Sequence, residues 1–219
     1  MTGNKVQNPE ILVESSEEKR LESLLAKRTD PEGSRLSRFL LMPDLSRTEG
    51  NPIRELVRRI TALPDFQEFD VVRVPEIVPA RESFDVFNFP PDHPARSRSD
   101  TYYVTDDYIL RTHTTIMWYY YLNLKEIKAR IAQGKDIGVL SYGKVYRKDE
   151  IDRRHMNIFH QMDGLYLCRR EEKELGLVDL ERVLENIARA IYGKDIRYRF
   201  NKDTFPYTDP SLEMEIELG

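Results

Sequence analysis

The sequence predicts an α+β domain whose sheet is mainly antiparallel, with helices packed against one face. Three observations carry that prediction. Residues 137–147 and 158–167 are two long strand-like runs joined by a charged stretch, so they pair as a hairpin with a wide cationic loop. Residues 177–191 set Leu177, Leu180, Val183, Leu184, Ile187, Ala188 and Ile191 at helical spacing. Residues 211–218 alternate apolar and acidic side chains strictly, the pattern of a strand with one face turned to a core.

The remaining elements follow in chain order. Residues 9–27 read as one modest helix, with Leu21, Leu24 and Leu25 apolar and Glu17, Glu18, Lys19 and Arg20 solvated. Asp30-Pro31-Glu32-Gly33 and Glu49-Gly50-Asn51-Pro52 are turn or breaker clusters. They divide the chain into an N-terminal helical extension and linker, residues 1–50, and a compact domain, residues 51–219. Asn51 caps a helix that Pro52 opens, and Ile53, Leu56, Val57, Ile60 and Leu63 recur along it until Pro64. Residues 69–74 form a strand stopped by Pro75, followed by a long connection through Pro79, Pro90, Pro91 and Pro94. Thr101-Tyr102-Tyr103-Val104 and Tyr108-Ile109-Leu110-Arg111 pair as short strands around Asp106-Asp107. Residues 115–132 are helical and residues 196–200 form a strand. In the last strand Leu212, Met214, Ile216 and Leu218 face the core. Glu213, Glu215 and Glu217 line the other side, either as a solvated face or as a metal-facing one, since Mg²⁺ takes carboxylate oxygens.

Composition narrows the functional classes. The chain has 219 residues with 34 Lys and Arg against 38 Asp and Glu, a net charge of -4. That balance argues against a surface that grips nucleic acid everywhere, while leaving room for a local basic site. Aromatic residues at 10% imply a folded core rather than disorder. The single Cys168 excludes a disulfide framework or a Cys-rich zinc site within one chain. The longest apolar run, residues 116–122, falls far short of the roughly 20 residues of a membrane span, and the first residues have no signal-peptide core. A reducing, cytoplasmic setting with no membrane partner is the expectation.

The hairpin carries the chemistry. Arg147 stands late in the first strand, the loop holds Lys148, Arg153, Arg154 and His155, and Phe159, Gln161 and Asp163 alternate along the return strand so that all three share one face. An arginine fork binds phosphate and a flat ring stacks on a base, so the grouping suits a nucleotide. A plain charged hairpin is written with the same residues, and the pattern alone does not decide.

Four stretches do. Gly143-Lys144-Val145-Tyr146-Arg147-Lys148-Asp149-Glu150 with Phe159-His160-Gln161-Met162-Asp163-Gly164 resembles the second signature motif of class II aminoacyl-tRNA synthetases. Asp92-His93-Pro94-Ala95-Arg96, Leu110-Arg111-Thr112-His113-Thr114-Thr115 and Phe205-Pro206-Tyr207-Thr208-Asp209-Pro210-Ser211 are similar to segments of the phenylalanyl-tRNA synthetase alpha-subunit family. Residues 69–75 can serve as the first class II motif. The resemblance covers roughly residues 51–219. It implies a class II synthetase-like sheet flanked by helices, and ATP-dependent activation of L-phenylalanine followed by transfer to tRNA(Phe), with Mg²⁺. It also implies a beta-subunit partner in an alpha2beta2 assembly. In that reading Arg147 is the catalytic residue on the α-phosphate, and Arg147, Asp149, His155 and Phe159 contact ATP. His113, Thr115, Gln161, Asp163, Phe205 and Tyr207 surround the amino acid, and Glu213 and Glu215 are metal candidates.

The sequence also departs from the family. The third class II motif is absent before Gly219, which suggests a fragment incomplete at its C-terminus, and a long N-terminal coiled-coil arm has no room. Asp163 stands where Glu is usual, Thr115 for Ser, Trp118 for Gln and Tyr207 for Phe. A Tyr207 hydroxyl pointing inward is expected to weaken rejection of tyrosine. Two other readings remain: a truncated paralogue that binds phenylalanine without ligating it, and a related class II enzyme for another amino acid.

Overall fold

The computed structural model describes residues 9–153 and 155–217. Strand β1 (Glu10–Leu12) is followed by helices α1 (Ser16–Leu25), α2 (Pro31–Leu41) and α3 (Pro52–Thr61), then β2 (Asp70–Arg73) and β3 (Ile77–Pro79). Helix α4 (Ala80–Phe84), strand β4 (Tyr108–Leu110) and helices α5 (Met117–Leu122) and α6 (Lys125–Ala132) come next. The long hairpin β5 (Ile137–Tyr146) and β6 (Ile158–Leu167), helix α7 (Leu177–Tyr192) and the ribbon β7 (Tyr198–Phe205) with β8 (Thr208–Ile216) complete the order.

The main sheet runs β1-β2-β5-β6. Its β5–β6 pairing is antiparallel over ten residue pairs, as the sequence predicts, but β1–β2 and β2–β5 are parallel, so the sheet is mixed. Parallel pairing joins segments far apart in sequence and leaves no local trace. The antiparallel pairs β3–β4 and β7–β8 stand as separate two-stranded sheets.

The single helix expected over residues 9–27 is divided. Glu10–Leu12 takes backbone partners along the outer edge of β2, and α1 starts only after Ser15, whose side chain accepts from the Glu18 backbone N–H. Asp30-Pro31-Glu32-Gly33, expected as a breaker, opens α2: Asp30 accepts from the Gly33 N–H at 3.0 Å and Pro31 fills the first turn, where no N–H is needed. Leu21, Leu25, Leu36 and Phe39 of these two helices bury against Tyr102 and Tyr146, so residues before position 50 help build one of the hydrophobic clusters together with the rest of the chain.

Asn51 and Pro52 cap and open α3 as expected, with Asn51 accepting from the Ile53 N–H at 2.9 Å. The Pro-rich connection contains two unforeseen elements, β3 and α4. Strand β3 pairs with one edge of β4, while the expected partner, residues 101–104, lies along the other edge as a short antiparallel bridge, Tyr103 to Ile109, with Leu110 N–H donating to the Tyr102 carbonyl and Val104 N–H to the Tyr108 carbonyl. The helix expected over 115–132 breaks at Asn123, whose amide donates back to the Tyr119 carbonyl at 2.8 Å. The predicted strand at 196–200 becomes the longer β7. Along β8, Leu212, Met214 and Ile216 are half-buried while Glu213, Glu215 and Glu217 are exposed. The expectations for Arg154 and Leu218 fall outside the described residues.

A buried arginine fixes the frame behind the site. Arg111 is 2% exposed, and its guanidinium donates to the carbonyls of Lys144 (2.7 Å) and Val74 (3.0 Å). Its backbone accepts from Tyr146 N–H and donates to the Glu76 carbonyl. Gly143, at φ +148°, passes beside it; a Cβ there would lie 2.5 Å from the guanidinium.

Candidate active site

Strand β6 turns Phe159, Gln161 and Asp163 to one face, opposite Val145, Gly143 and Ser141 of β5. Arg147 lies just past the end of β5. Its backbone N–H donates to the Asn157 carbonyl, and its Nε donates to the Thr112 carbonyl at 3.0 Å. This aims the guanidinium over the Phe159 ring, 5.2 Å from its centroid, within cation–π range. The predicted arginine and aromatic thus meet on one side of the sheet.

The segment after Arg111 folds down beside them. The Thr114 backbone N–H donates to Gln161 Oε1 at 3.0 Å, and the Thr115 hydroxyl donates to Asp163 Oδ2. Burial pushes the Asp163 carboxyl above its usual range, only partly offset by that hydroxyl. His113 is 8% exposed and lies edge-on to Phe87 (5.4 Å) and stacked on Phe89 (6.3 Å). Neither of its ring nitrogens makes a hydrogen bond among the described residues, although a backbone group of Ser83 lies near. Burial, then the neighbouring Arg147 charge, lowers its pKa to about 4, so the ring is neutral at pH 7.

His113 therefore ties stability to pH. Its folded pKa lies below the ordinary value of 6.5, so the neutral ring's contribution is complete above that value and is lost as pH falls toward 4. Two and a half units correspond to about 3 kcal/mol. Replacing His113 with Gln should shrink the stability difference between pH 7.5 and pH 4 by that amount in urea titrations. Identical pH dependence in both proteins would contradict it.

Tyr207, at the turn of the β7–β8 ribbon, reaches the same aromatic group, 5.5 Å from Phe87 and 6.1 Å from Trp118. Burial and then the Asp163 charge raise its hydroxyl pKa, and the hydroxyl lies against Thr115. Phe205, 40% exposed, sits at the rim, 6.3 Å from Tyr207. Asp149 and His155 stay on the exposed loop, where the Asp149 carbonyl accepts from Asn157 and His155 pairs with Asp152.

The β8 carboxylates that the sequence offers as metal candidates are exposed. Glu215 is ion-paired with Arg199 across the ribbon, Glu217 with Arg197, and Glu213 stands opposite Asn201. No group of three or more His, Cys, Asp or Glu among the described residues could hold a metal ion. Glu215 and Glu217 thus each have an arginine partner on this exposed face.

Phe87 and Phe89 are site residues that sequence reasoning missed. They fall in a stretch expected as connection, and their signal was the alternation Phe87-Asn88-Phe89, with Asn88 in the left-handed region at φ 56°. Asn88 also reaches the ribbon turn, donating to the Pro206 carbonyl at 3.4 Å.

The model of the tRNA synthetases class II core domain (F) matches residues 40–218. The chain belongs to the class II tRNA synthetase core family. Among curated relatives, the phenylalanine–tRNA ligase alpha subunit of Thermotoga neapolitana is 34% identical over 207 residues, covering 94% of this chain and 59% of that protein. That of Mycoplasmoides gallisepticum is 36% identical over 180 residues, covering 81% of this chain and 50% of that protein. The chain thus spans between half and three-fifths of these two relatives' lengths. A pyrrolysyl tRNA synthetase from Desulfitobacterium hafniense, PylSc, shares the fold, with a TM-score of 0.53 at 16% identity over 93% of this chain and 75% of that one. No helix among the described residues of this class II core is long and apolar enough to cross a membrane.

Proposed function

We propose that the chain is the catalytic alpha subunit of a phenylalanine–tRNA ligase. The phenylalanine carboxylate attacks the α-phosphorus of ATP and displaces pyrophosphate. The terminal 2′-hydroxyl of tRNA(Phe) then attacks the acyl carbon of the adenylate and releases AMP. No protein nucleophile is required; the work is alignment and stabilisation of charge developing on phosphate oxygens.

The observation that carries the reading is the Arg147 guanidinium held over Phe159 beside His113, Gln161 and Asp163. Arg147 meets the α-phosphate and Phe159 stacks on adenine. Gln161, Asp163 and the neutral His113 orient the amino and carboxylate groups. The substrate ammonium supplies the cation that the buried Asp163 carboxyl lacks in its hydroxyl contact with Thr115. Phe205 and Tyr207 border the phenyl group. Magnesium enters with ATP as part of the nucleotide substrate.

The relatives' designation as alpha subunits supports a beta-subunit partner. Helix α3, with Leu56 37% exposed, contributes to the alpha–alpha contact of an alpha2beta2 cytoplasmic assembly.

Calorimetry and pyrophosphate exchange test the reading together. The chain should bind phenylalanine and ATP and exchange pyrophosphate into ATP only when phenylalanine is present. Binding of phenylalanine with no binding of ATP would instead favour a phenylalanine-binding module.

A further inference from the structure

The stretch Asp92-His93-Pro94-Ala95-Arg96 carries part of the family resemblance but has no share in the chemistry proposed above. It closes the loop that bears Phe87 and Phe89. Pro94–Arg96 forms a short 3-10 turn opened by His93, whose Nδ1 accepts from the Ala95 backbone N–H at 3.1 Å. That turn presents Arg96 back to the loop. Its Nε donates to the Pro90 carbonyl at 2.9 Å, and its Nη2 donates to the Phe89 carbonyl at 2.6 Å and to Asp85 Oδ1 at 2.7 Å. The guanidinium also lies over the Phe84 ring, 5.3 Å from its centroid. One planar fork thus ties the start of the loop, Asp85, to its end, Phe89 and Pro90.

We propose that Arg96 is a positioning residue of the amino-acid pocket: its clasp on Asp85, Phe89 and Pro90 holds the Phe87 and Phe89 rings in place beside His113. This rests on the pocket proposed above and deepens it.

Between the clasped ends the chain turns sharply at Asn88, in the left-handed region. The turn sends Phe87, 1% exposed, against His113, Trp118 and Tyr207, and Phe89 against His113 and Tyr207. The His93 ring packs edge-on against Phe89 at 4.7 Å. The clasp is itself anchored. The Tyr103 hydroxyl donates to the Arg96 carbonyl at 2.8 Å and the Thr101 hydroxyl to the Ala95 carbonyl at 2.7 Å, and Tyr103 bridges to Ile109 of β4. Strand β4 runs on into Arg111 and His113, so Arg96 refers the aromatic wall to the same strand that delivers the histidine. Asp85 and Pro90 are exposed, and water can replace Arg96 at both. Loss of the clasp therefore falls on the shape of the loop rather than on the fold.

Calorimetry on the full chain tests the role. Arg96→Met should raise the Kd for L-phenylalanine by about tenfold or more, the scale on which small misplacements of a binding group act. The Kd for ATP should stay within about twofold, since Arg147 and Phe159 are held from Thr112 and Asn157 instead. A variant that merely folded less well would bind fewer equivalents of phenylalanine at an unchanged Kd. Arg96→Lys should recover only part of the affinity, because a point charge cannot make all three bonds. Tyr103→Phe, which removes a single oxygen from the anchor, should weaken phenylalanine by about threefold and tests the clasp even if Arg96→Met does not fold. Trp118, the only tryptophan in the chain, lies 5.7 Å from Phe87, and its emission in the ligand-free Arg96→Met chain should differ from that of the parent. An unchanged phenylalanine Kd in the variants that fold overturns the clasp and leaves the pocket standing. Failure of the parent to bind phenylalanine removes the pocket reading, and the role of Arg96 with it.

Discussion

Replacing Arg147 with alanine is expected to slow phenylalanine-dependent exchange of pyrophosphate into ATP by about 10²–10³-fold, the usual cost of deleting one preorganised donor to a developing oxyanion. The side chain is aimed before substrate arrives: its Nε is fixed on the Thr112 carbonyl and its plane lies over Phe159. Little reorganisation is left for the reaction itself. The loss should appear in kcat as well as in kcat/KM, because charge on the α-phosphate grows toward the transition state. Lysine at this position should recover only part of the rate, since a point charge lacks the planar fork and cannot keep the Thr112 bond while reaching phosphate. A decrease smaller than threefold for the alanine variant would remove Arg147 from this role.

Replacing Arg111 with methionine should lower stability by about 3–5 kcal/mol, the range for deleting one partner of a buried charged network. The carbonyls of Lys144 and Val74 would lose their donors inside a dry interior. Glu76, which pairs with Lys144 at 3.1 Å and accepts from the Tyr146 hydroxyl, would lose a nearby positive charge. Methionine fills much of the volume but makes none of these bonds. Urea denaturation at pH 7 measures the change, and a loss under 1 kcal/mol would show that the carbonyls find other partners. The effect on catalysis should follow from displacement of Thr112 to Thr115, which continue directly from Arg111 into the pocket.

The hairpin that carries the site was legible from the sequence because its information is local. Two ten-residue strands of period two joined by a polar loop fix their own boundaries, and the same period puts Phe159, Gln161 and Asp163 on one face. The cap at Asn51 was legible for the same reason. Strand β1 was not: three residues gain their conformation from β2, some sixty positions away. The start of α2 was obscured because Pro31 and Gly33 are common in turns, and only the Asp30 side-chain bond distinguishes a helix opening from a bend. His113 and Thr115 could be assigned only by resemblance, since nothing in their spacing brings them to Gln161 and Asp163. The meeting of Tyr207 with Phe87 and Phe89 joins segments more than a hundred residues apart, and no periodicity records it.

The short strand β1 has a practical consequence. Among the described residues Glu10–Leu12 and the Val13 N–H cover the outer edge of β2, with the Glu10–Arg47 ion pair pinning the strand there, so a version of the protein shortened by fifteen residues would leave Val71–Arg73 with open amide and carbonyl groups. Such a bare margin recruits extended chains from other molecules. Trimming the amino end to aid crystallisation would therefore be expected to promote self-association.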